Sequence, residues 1–279
     1  MRVYVEGIGL YGPGLNGWQA SRSVLSGAAP YVAAPTLVPP SPLLPPNERR
    51  RTVQTVKLAL AVGAEAFAGA KRDPAEVATV FTSSGGDGET IHQILDVLAT
   101  TEPELSPTRF HNSVHNAPAG YWRIANHSHA PSSSLCCHDA SFAAGLIEAA
   151  VQATTDAEPV ALFAYDVSAP EPLNARRPIG ANFATALILT PEPTATTLAR
   201  LDVEIRPRST TSSMADAALE ELRRGTPAAR SLPLLAALAR AAGADIALDF
   251  VSELEICLRL EPAIAGSGAA AQNEAAVQA

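Results

Sequence analysis

Residues 77–100 read VATVFTSSGGDGETIHQILDVLAT, and this stretch points to an α/β fold. The apolar run at 77–82 predicts a strand, the glycine-rich residues 83–88 predict a tight turn, and residues 90–100 have the spacing of a helix. A strand that feeds a helix through a short turn is typical of α/β proteins. The turn could also cradle a phosphate, but it has neither the Lys-Ser/Thr end of a P-loop nor the G-x-G-x-x-G spacing. We therefore favour a purely structural turn.

The same kind of pattern extends along the chain in both directions. Seven prolines between Pro30 and Pro46 predict an extended surface loop at 30–46. We expect one α/β domain over residues 1–262 and a flexible tail at 263–279. The other predicted strands lie at 3–9, 159–166, 183–189, 200–205 and 254–260, and the other predicted helices at 18–25, 52–70, 141–154, 214–224 and 232–241.

Composition limits the classes of function. Of 279 residues, 47% are hydrophobic, which is enough for a sizeable core. The formal net charge of −8 argues against a protein that binds a phosphate backbone. No apolar run reaches the length of a membrane span, and the charged start MRVYVE is unlike a signal peptide. Three cysteines, an odd number, do not form a disulfide framework. Together with the charge and the lack of an apolar span, this predicts a cytoplasmic protein without nucleic-acid or membrane partners.

The sequence Cys136-Cys137-His138-Asp139 precedes a predicted helix. A thiol near a helix N-terminus has a lowered pKa and could act as a nucleophile. Residues adjacent in sequence usually point in different directions, however, and catalytic arrays are assembled from distant segments. We expect small buried packing thiols here, with a nucleophilic Cys136 or Cys137 as the alternative.

His111 and His115 are four residues apart and could share a helix face that binds zinc. No carboxylate or cysteine stands at the offset that a zinc motif requires, so we expect neither a metal nor a cofactor. All six histidines lie at or before position 138 and both lysines at or before position 71. A mechanism that needs a histidine or lysine base from the second half of the chain is therefore excluded.

Four segments taken together resemble the β-ketoacyl synthases. They are VYVEGIGLYGPGLNGWQASRSVLSG at 3–27, ERRRTVQTVKLALAVGAEAF at 48–67, the stretch from FHNSVHNAPAGYW to LCCHDASFAAGLIEAA at 110–150, and VALFAYD followed by PLNARR at 160–177. The likeness runs in order from residue 1 to about residue 190. It implies a thiolase-like, layered α-β-α fold with a truncated second half. The variant it resembles is a short group of chain-length-factor-like homologues associated with aryl polyene-type pathways.

The resemblance also implies that catalysis is lost. Active ketosynthases carry a nucleophilic cysteine at the head of the helix that matches residues 145–150. An ungapped alignment puts Asp139 in that position and Cys137 two residues early. A shift of two residues would turn the helix by about 200° and bury the wrong face. The catalytic histidines and lysine of the family's second half have no counterpart, and residues 178–183 replace the Gly-Phe gate.

By this resemblance the chain pairs with an active ketosynthase as a heterodimer and has no activity alone. It would meet acyl carrier protein through that partner and shape the tunnel for a polyene, polyketide or fatty-acid-like chain. The alternatives are an acyltransferase or thiolase-like enzyme that uses Cys137, and a homodimeric scaffold. The residues expected at the interface or tunnel are Phe110, His111, Asn112, His115, Asn116, Tyr121, Trp122 and Phe142, the last of them beside Asp139.

Overall fold

The computed structural model describes residues 1–263, and its strands form one mixed sheet. The strands are β1 (Arg2–Gly12), β2 (Leu15–Asn16), β3 (Ala78–Thr82), β4 (Ser132–Leu135), β5 (Val160–Asp166), β6 (Phe183–Thr190), β7 (Ala199–Pro207), β8 (Ala244–Asp249) and β9 (Leu254–Pro262). Their order is β4-β3-β5-β6-β1-β7-β9-β8, with β2 paired to β1. β3 is parallel to both β4 and β5, and the other pairs are antiparallel.

Helices cover both faces of the sheet, which confirms the predicted α-β-α layering. They are α1 (Trp18–Leu25), α2 (Pro46–Arg51), α3 (Gln54–Ala70), α4 (Gly88–Leu98), α5 (Pro107–Asn112), α6 (Ala117–Asn126), α7 (Ser141–Asp156), α8 (Leu173–Arg176), α9 (Ala217–Gly225) and α10 (Leu232–Arg240). α3 and α6 pack on one face, whereas α7, α1 and α10 pack on the other.

Most predicted elements are confirmed with ends shifted by a few residues, and residues 30–45 form no helix or strand, as expected. Seven elements were not predicted, namely β2, β4, β8, α2, α5, α6 and α8. The predicted tail lies almost wholly outside the described residues. The glycine-rich turn leads into α4, where the side chain of Asp87 accepts a hydrogen bond from the Thr90 N–H at 2.9 Å. This carboxylate occupies the helix end that a phosphate would need.

Two glycines of β1 bring α3 close to the sheet. A Cβ atom at Gly7 would overlap the carbonyl oxygen of Ala66, and one at Gly9 would overlap that of Val62. Strand and helix backbones are therefore in direct contact, a closeness that only glycine permits. This contact fixes the sheet against the largely buried α3.

The strands of the second half, β7 to β9, are covered by helices on one face only. Val203, Ile246 and Leu258 are buried on that face, below α10. The alternate residues carry charges, among them Arg259, which pairs with Asp245 at 3.2 Å. Alternation of this kind gives a sheet with one buried and one solvated face. Among residues 1–263, no helix is both long and apolar enough to cross a membrane.

Candidate functional site

A polar cluster lies where β3, β4 and β5 end and α7 begins. The three strands are parallel, so their carboxyl ends meet at one edge of the sheet. Ser83 and Ser84 follow β3, Asp166 ends β5, and Asp139 lies in a short 3-10 helix, His138–Ala140, between β4 and α7. The fold therefore brings together residues that are far apart in sequence.

Asp166 is buried and holds the centre of this cluster. Its carboxylate accepts hydrogen bonds from the Ser83 hydroxyl at 3.2 Å, the Ser84 N–H at 2.8 Å and the Ala228 N–H at 2.7 Å. Burial raises the pKa of Asp166 to about 6, although these three hydrogen bonds oppose the rise. One carboxylate thus joins the turn after β3 to a second 3-10 helix, Pro227–Ser231.

Asp139, at the position that the resemblance assigns to the nucleophile, is held by two arginines. Arg177 Nη2 lies 2.6 Å from its Oδ1, and Arg230 Nη2 lies 3.1 Å from its Oδ2. Arg177 Nη2 also donates to the Ser84 hydroxyl at 2.6 Å. Partial burial opposes ionisation of Asp139, but the Arg177 hydrogen bond and the charges of both arginines bring its pKa below the ordinary value. The side chain is therefore a carboxylate at neutral pH.

The thiols next to Asp139 lie outside the core of the chain. Cys136 is exposed and Cys137 is half-buried, so the expectation that both are buried packing thiols is wrong. Residues 136 and 137 follow the end of β4 and lie outside the core, because the chain turns there towards α7. The backbone N–H of Cys137 donates to the Ser141 hydroxyl at 2.9 Å. Within residues 1–263, neither thiol hydrogen-bonds to an imidazole.

His111 and His115 do not share a helix face. His111 lies in α5 and meets the ring of Tyr121 edge-on, with centroids 5.8 Å apart. His115 lies in the turn before α6, and its Nε2 is 3.1 Å from the carbonyl oxygen of Ser83, next to the polar cluster. In the described part of the chain, no three histidine, cysteine, aspartate or glutamate side chains converge as metal ligands would.

The eight residues expected at an interface or tunnel divide into two groups. Phe110, His111 and Asn116 are exposed and His115 is half-buried. The other four, Asn112, Tyr121, Trp122 and Phe142, are buried in this chain.

These four do not reach the surface of this chain, and their place at an interface or tunnel stays a prediction. Trp122 is 1% exposed, because its ring lies 5.3 Å from that of Phe67 and 4.9 Å from that of Phe163, centroid to centroid. Asn112 donates to the carbonyl oxygen of Arg51 at 2.8 Å. Tyr121 and Trp122 belong to the core on the α3 and α6 face of the sheet, whereas Phe142 belongs to the core on the other face.

Two members of the cluster, Arg230 and Asp166, were not predicted as site residues from the sequence. Arg230 lies in a segment without any recognisable motif. Asp166 ends an apolar strand and was interpreted only as part of that strand. The signal that could have identified it is its charge, because an aspartate that directly follows a fully apolar run is often at the mouth of a site.

Comparison with known proteins places these features in a family. The model of the β-ketoacyl synthase N-terminal domain matches residues 18–244. The chain is similar in structure to a ketosynthase, ApeO, in complex with its chain length factor, ApeC, from Xenorhabdus doucetiae. The identity is 22%, the TM-score is 0.71, and 93% of this chain and 99% of that chain are covered.

Two other structures show the same likeness. For the ishigamide ketosynthase/chain length factor, the identity is 12%, the TM-score is 0.71, and 94% of this chain and 99% of that chain are covered. The third structure is AntDE:AntF, a type II polyketide synthase acyl-carrier protein in complex with its ketosynthase. The identity is 13%, the TM-score is 0.73, and 94% of this chain and 99% of that chain are covered. No curated protein matches the sequence. The structural likenesses confirm a thiolase-like ketosynthase fold, and the family match shows that the chain belongs to the β-ketoacyl synthase family.

Proposed function

We propose that this chain is a non-catalytic ketosynthase-like subunit, a chain length factor. It pairs with an active ketosynthase and shapes the tunnel in which an acyl chain grows on a carrier protein. One observation carries the proposal: Asp139 stands at the head of α7 and is ion-paired to Arg177 and Arg230. A carboxylate has no sulfur with which to form the acyl thioester that condensation requires, and two guanidinium groups occupy its oxygens.

The distribution of bases supports the same conclusion. The nearest histidines are His115, which faces the Ser83 carbonyl, and His138, whose Nδ1 lies 3.5 Å from Asp139 Oδ1. Neither is hydrogen-bonded to a thiol within residues 1–263. A cysteine needs an adjacent base or a lowered pKa to attack a thioester. We infer that the active partner supplies the nucleophile and the bases.

The surface around α4 and α5 is suited to a partner subunit. Six of the thirteen large hydrophobic side chains that are exposed in the described residues lie between positions 95 and 124, and Phe110 is 65% exposed. β4 ends the sheet, and its outer edge has no strand partner in residues 1–263. Exposed apolar side chains next to a free sheet edge are typical of a surface that another chain covers.

The structural neighbours are consistent with such a pair. Two of them are a ketosynthase with a chain length factor, and the third is a ketosynthase with its acyl-carrier protein. In this proposal Phe110, His111, His115 and Asn116 contact the ketosynthase. The chain meets acyl carrier protein through that partner, in the cytoplasm, in an aryl polyene-type pathway.

Co-expression with an active ketosynthase from the same genome tests the proposal. Only this chain carries a tag, and the purified material is analysed by size-exclusion chromatography and intact mass. We expect a 1:1 complex with acyl adducts on the ketosynthase and none on this chain. A homo-oligomer that excludes the ketosynthase would support the scaffold alternative. An acyl adduct on Cys137 would support the enzyme alternative.

A further inference from the structure

We propose that Asp139 is an internal anchor that holds the second half of the chain against the vestigial catalytic centre. The inference concerns the folding of this chain and does not depend on a partner. Asp139 bridges Arg177, which follows β5 and α8, and Arg230, which belongs to the 3-10 helix Pro227–Ser231. The position used by the nucleophile in active relatives is thus used here to join two distant segments.

The bridge continues into the outer strands. Arg230 Nη1 lies 3.8 Å from Asp249 Oδ2, at the end of β8. Asp249 Oδ1 in turn accepts a hydrogen bond from the Thr211 hydroxyl at 2.7 Å. Two carboxylates and two guanidinium groups therefore form one chain of contacts from the centre to β8. Asp249 Oδ1 also lies 4.0 Å from Arg208 Nη2, so three guanidinium groups share the two carboxylates.

Partial burial makes this arrangement depend on Asp139. The exposed fractions of the side chains of Arg230, Arg177 and Asp139 are 22%, 34% and 39%. The Nε of Arg230 is already buried without a hydrogen-bond partner. Without Asp139, two guanidinium groups would face each other with no anion between them. Like charges in a partly desolvated site repel more strongly than in water.

A second contact holds the same 3-10 helix. Ala228 donates its N–H to buried Asp166 at 2.7 Å, two residues before Arg230. Leu232 then begins α10, which packs on α1 and on the last two strands. Asp166 and Asp139 therefore hold the 3-10 helix at two points. Because α10 directly follows this helix, the two contacts also position α10. Loss of Asp139 should loosen residues 227–249 more than the rest of the chain.

Replacement of Asp139 by alanine, with small carboxylates added back, tests the anchor. We expect Asp139→Ala to lower the Tm by roughly 2–4 °C and to speed amide exchange in residues 227–249 by about tenfold. Acetate or formate should reverse both effects, because either anion can occupy the space between Arg177 and Arg230. Chloride at equal ionic strength should not.

Asp202→Ala is the matched control. Asp202 also lies between two arginines, 2.8 Å from Arg2 and 3.2 Å from Arg200, but these lie on β1 and β7, which the strand ladder already joins. We expect the Tm of Asp202→Ala to differ little from that of the wild type, and acetate to raise it no more than chloride does. Equal Tm losses in the two variants, or unchanged exchange in residues 227–249 of the Asp139 variant, would overturn the anchor. If Asp139→Ala does not fold, Asp139→Asn keeps the shape, removes the charge and is judged by the same exchange criterion.

Discussion

At the residue scale, Asp166 makes the stability of this chain depend on pH. Burial raises its pKa from 3.8 to about 6 in the folded protein. The folded state therefore holds the proton more tightly than the unfolded state. This contribution to stability is fully present below the unfolded pKa and is lost as the pH rises through about 6. Between pH 4 and pH 7 the loss is about 2 kcal/mol, since one pKa unit corresponds to roughly 1.4 kcal/mol.

Replacement of Asp166 by asparagine isolates this contribution. The variant does not titrate at this position, whereas other carboxylates such as Asp139 are common to both proteins. The free energy of unfolding of the wild type minus that of Asp166→Asn should fall by about 2 kcal/mol from pH 4 to pH 7. Urea denaturation at several pH values measures it. A difference that stays constant or grows with pH would show that Asp166 is not held with a raised pKa.

Single residues also show what the sequence could and could not predict. The resemblance identified Asp139 at the vestigial nucleophile position, and the structure places it at the head of α7. Its ion pair with Arg230 could not be predicted, because 91 residues separate the two and no local pattern links them. The exposure of Cys136 was missed for a related reason. Whether a thiol is buried depends on how the chain turns after β4.

At the scale of elements, α3 contains two glycines whose surroundings differ. A Cβ atom at Gly63 would overlap the ring of Trp122 and lie 2.6 Å from Cε1 of Phe163. A Cβ atom at Gly69 would lie 3.8 Å from the Cα of Gly7, an ordinary contact. We expect Gly63→Ala to lower the free energy of unfolding by about 1–3 kcal/mol through overpacking. Gly69→Ala should raise it by up to about 1 kcal/mol through helix propensity.

Chemical denaturation of the two variants measures both effects. They share the helix and the substitution, so propensity cancels in the comparison and packing remains. The order of stability should be Gly69→Ala, wild type, Gly63→Ala. A Gly63→Ala protein at least as stable as the wild type would mean that α3 is not clamped between β5 and α6 as described.

Elements with a long apolar pattern were the predictable ones. α3 and β5 are buried along most of their length, and their sequences alone located them within two residues. β4 reads SSSL and has no apolar alternation, because it forms the edge of the sheet. α5 and α6 are short, and α5 is polar. Their available signals were prolines in the first turn, at Pro107 and Pro118, and the capping Ser106.

At the scale of the whole molecule, the α4–α5 surface is the proposed contact with a ketosynthase. We expect Phe110→Asp to weaken the complex at least tenfold (a cost of about 1.4 kcal/mol or more), since it replaces an exposed aromatic side chain of the proposed contact with a charge. Leu37→Asp is the matched control, because Leu37 is 64% exposed in the proline-rich loop and Phe110 is 65% exposed. Pull-down with the tagged chain measures both.

An equal effect of the two substitutions would place the contact elsewhere. So would a Phe110→Asp chain that binds the ketosynthase as tightly as the wild type. Circular dichroism of the isolated variants serves as the folding control, since both side chains are on the surface.

The order of elements was enough to predict the family, because the strand and helix patterns of the first 190 residues follow that order without large gaps. It was not enough to separate surface from core within residues 110–122. Trp122 is buried by Phe163, 41 positions away on β5, and such long-range packing leaves no local trace. The family resemblance placed Trp122 in a stretch expected at an interface or tunnel, and within this chain its side chain is part of the core.

The most direct test of the central claim is elongation by the reconstituted heterodimer after removal of the thiols near its vestigial centre. The complex is prepared with Cys136→Ala and Cys137→Ala in this chain, and in parallel with alanine in place of the ketosynthase's own nucleophilic cysteine. Product yield and chain length are measured by mass spectrometry. We predict that the first complex elongates like the wild type and that the second is inactive. Loss of elongation in the first complex would contradict a non-catalytic role for this chain.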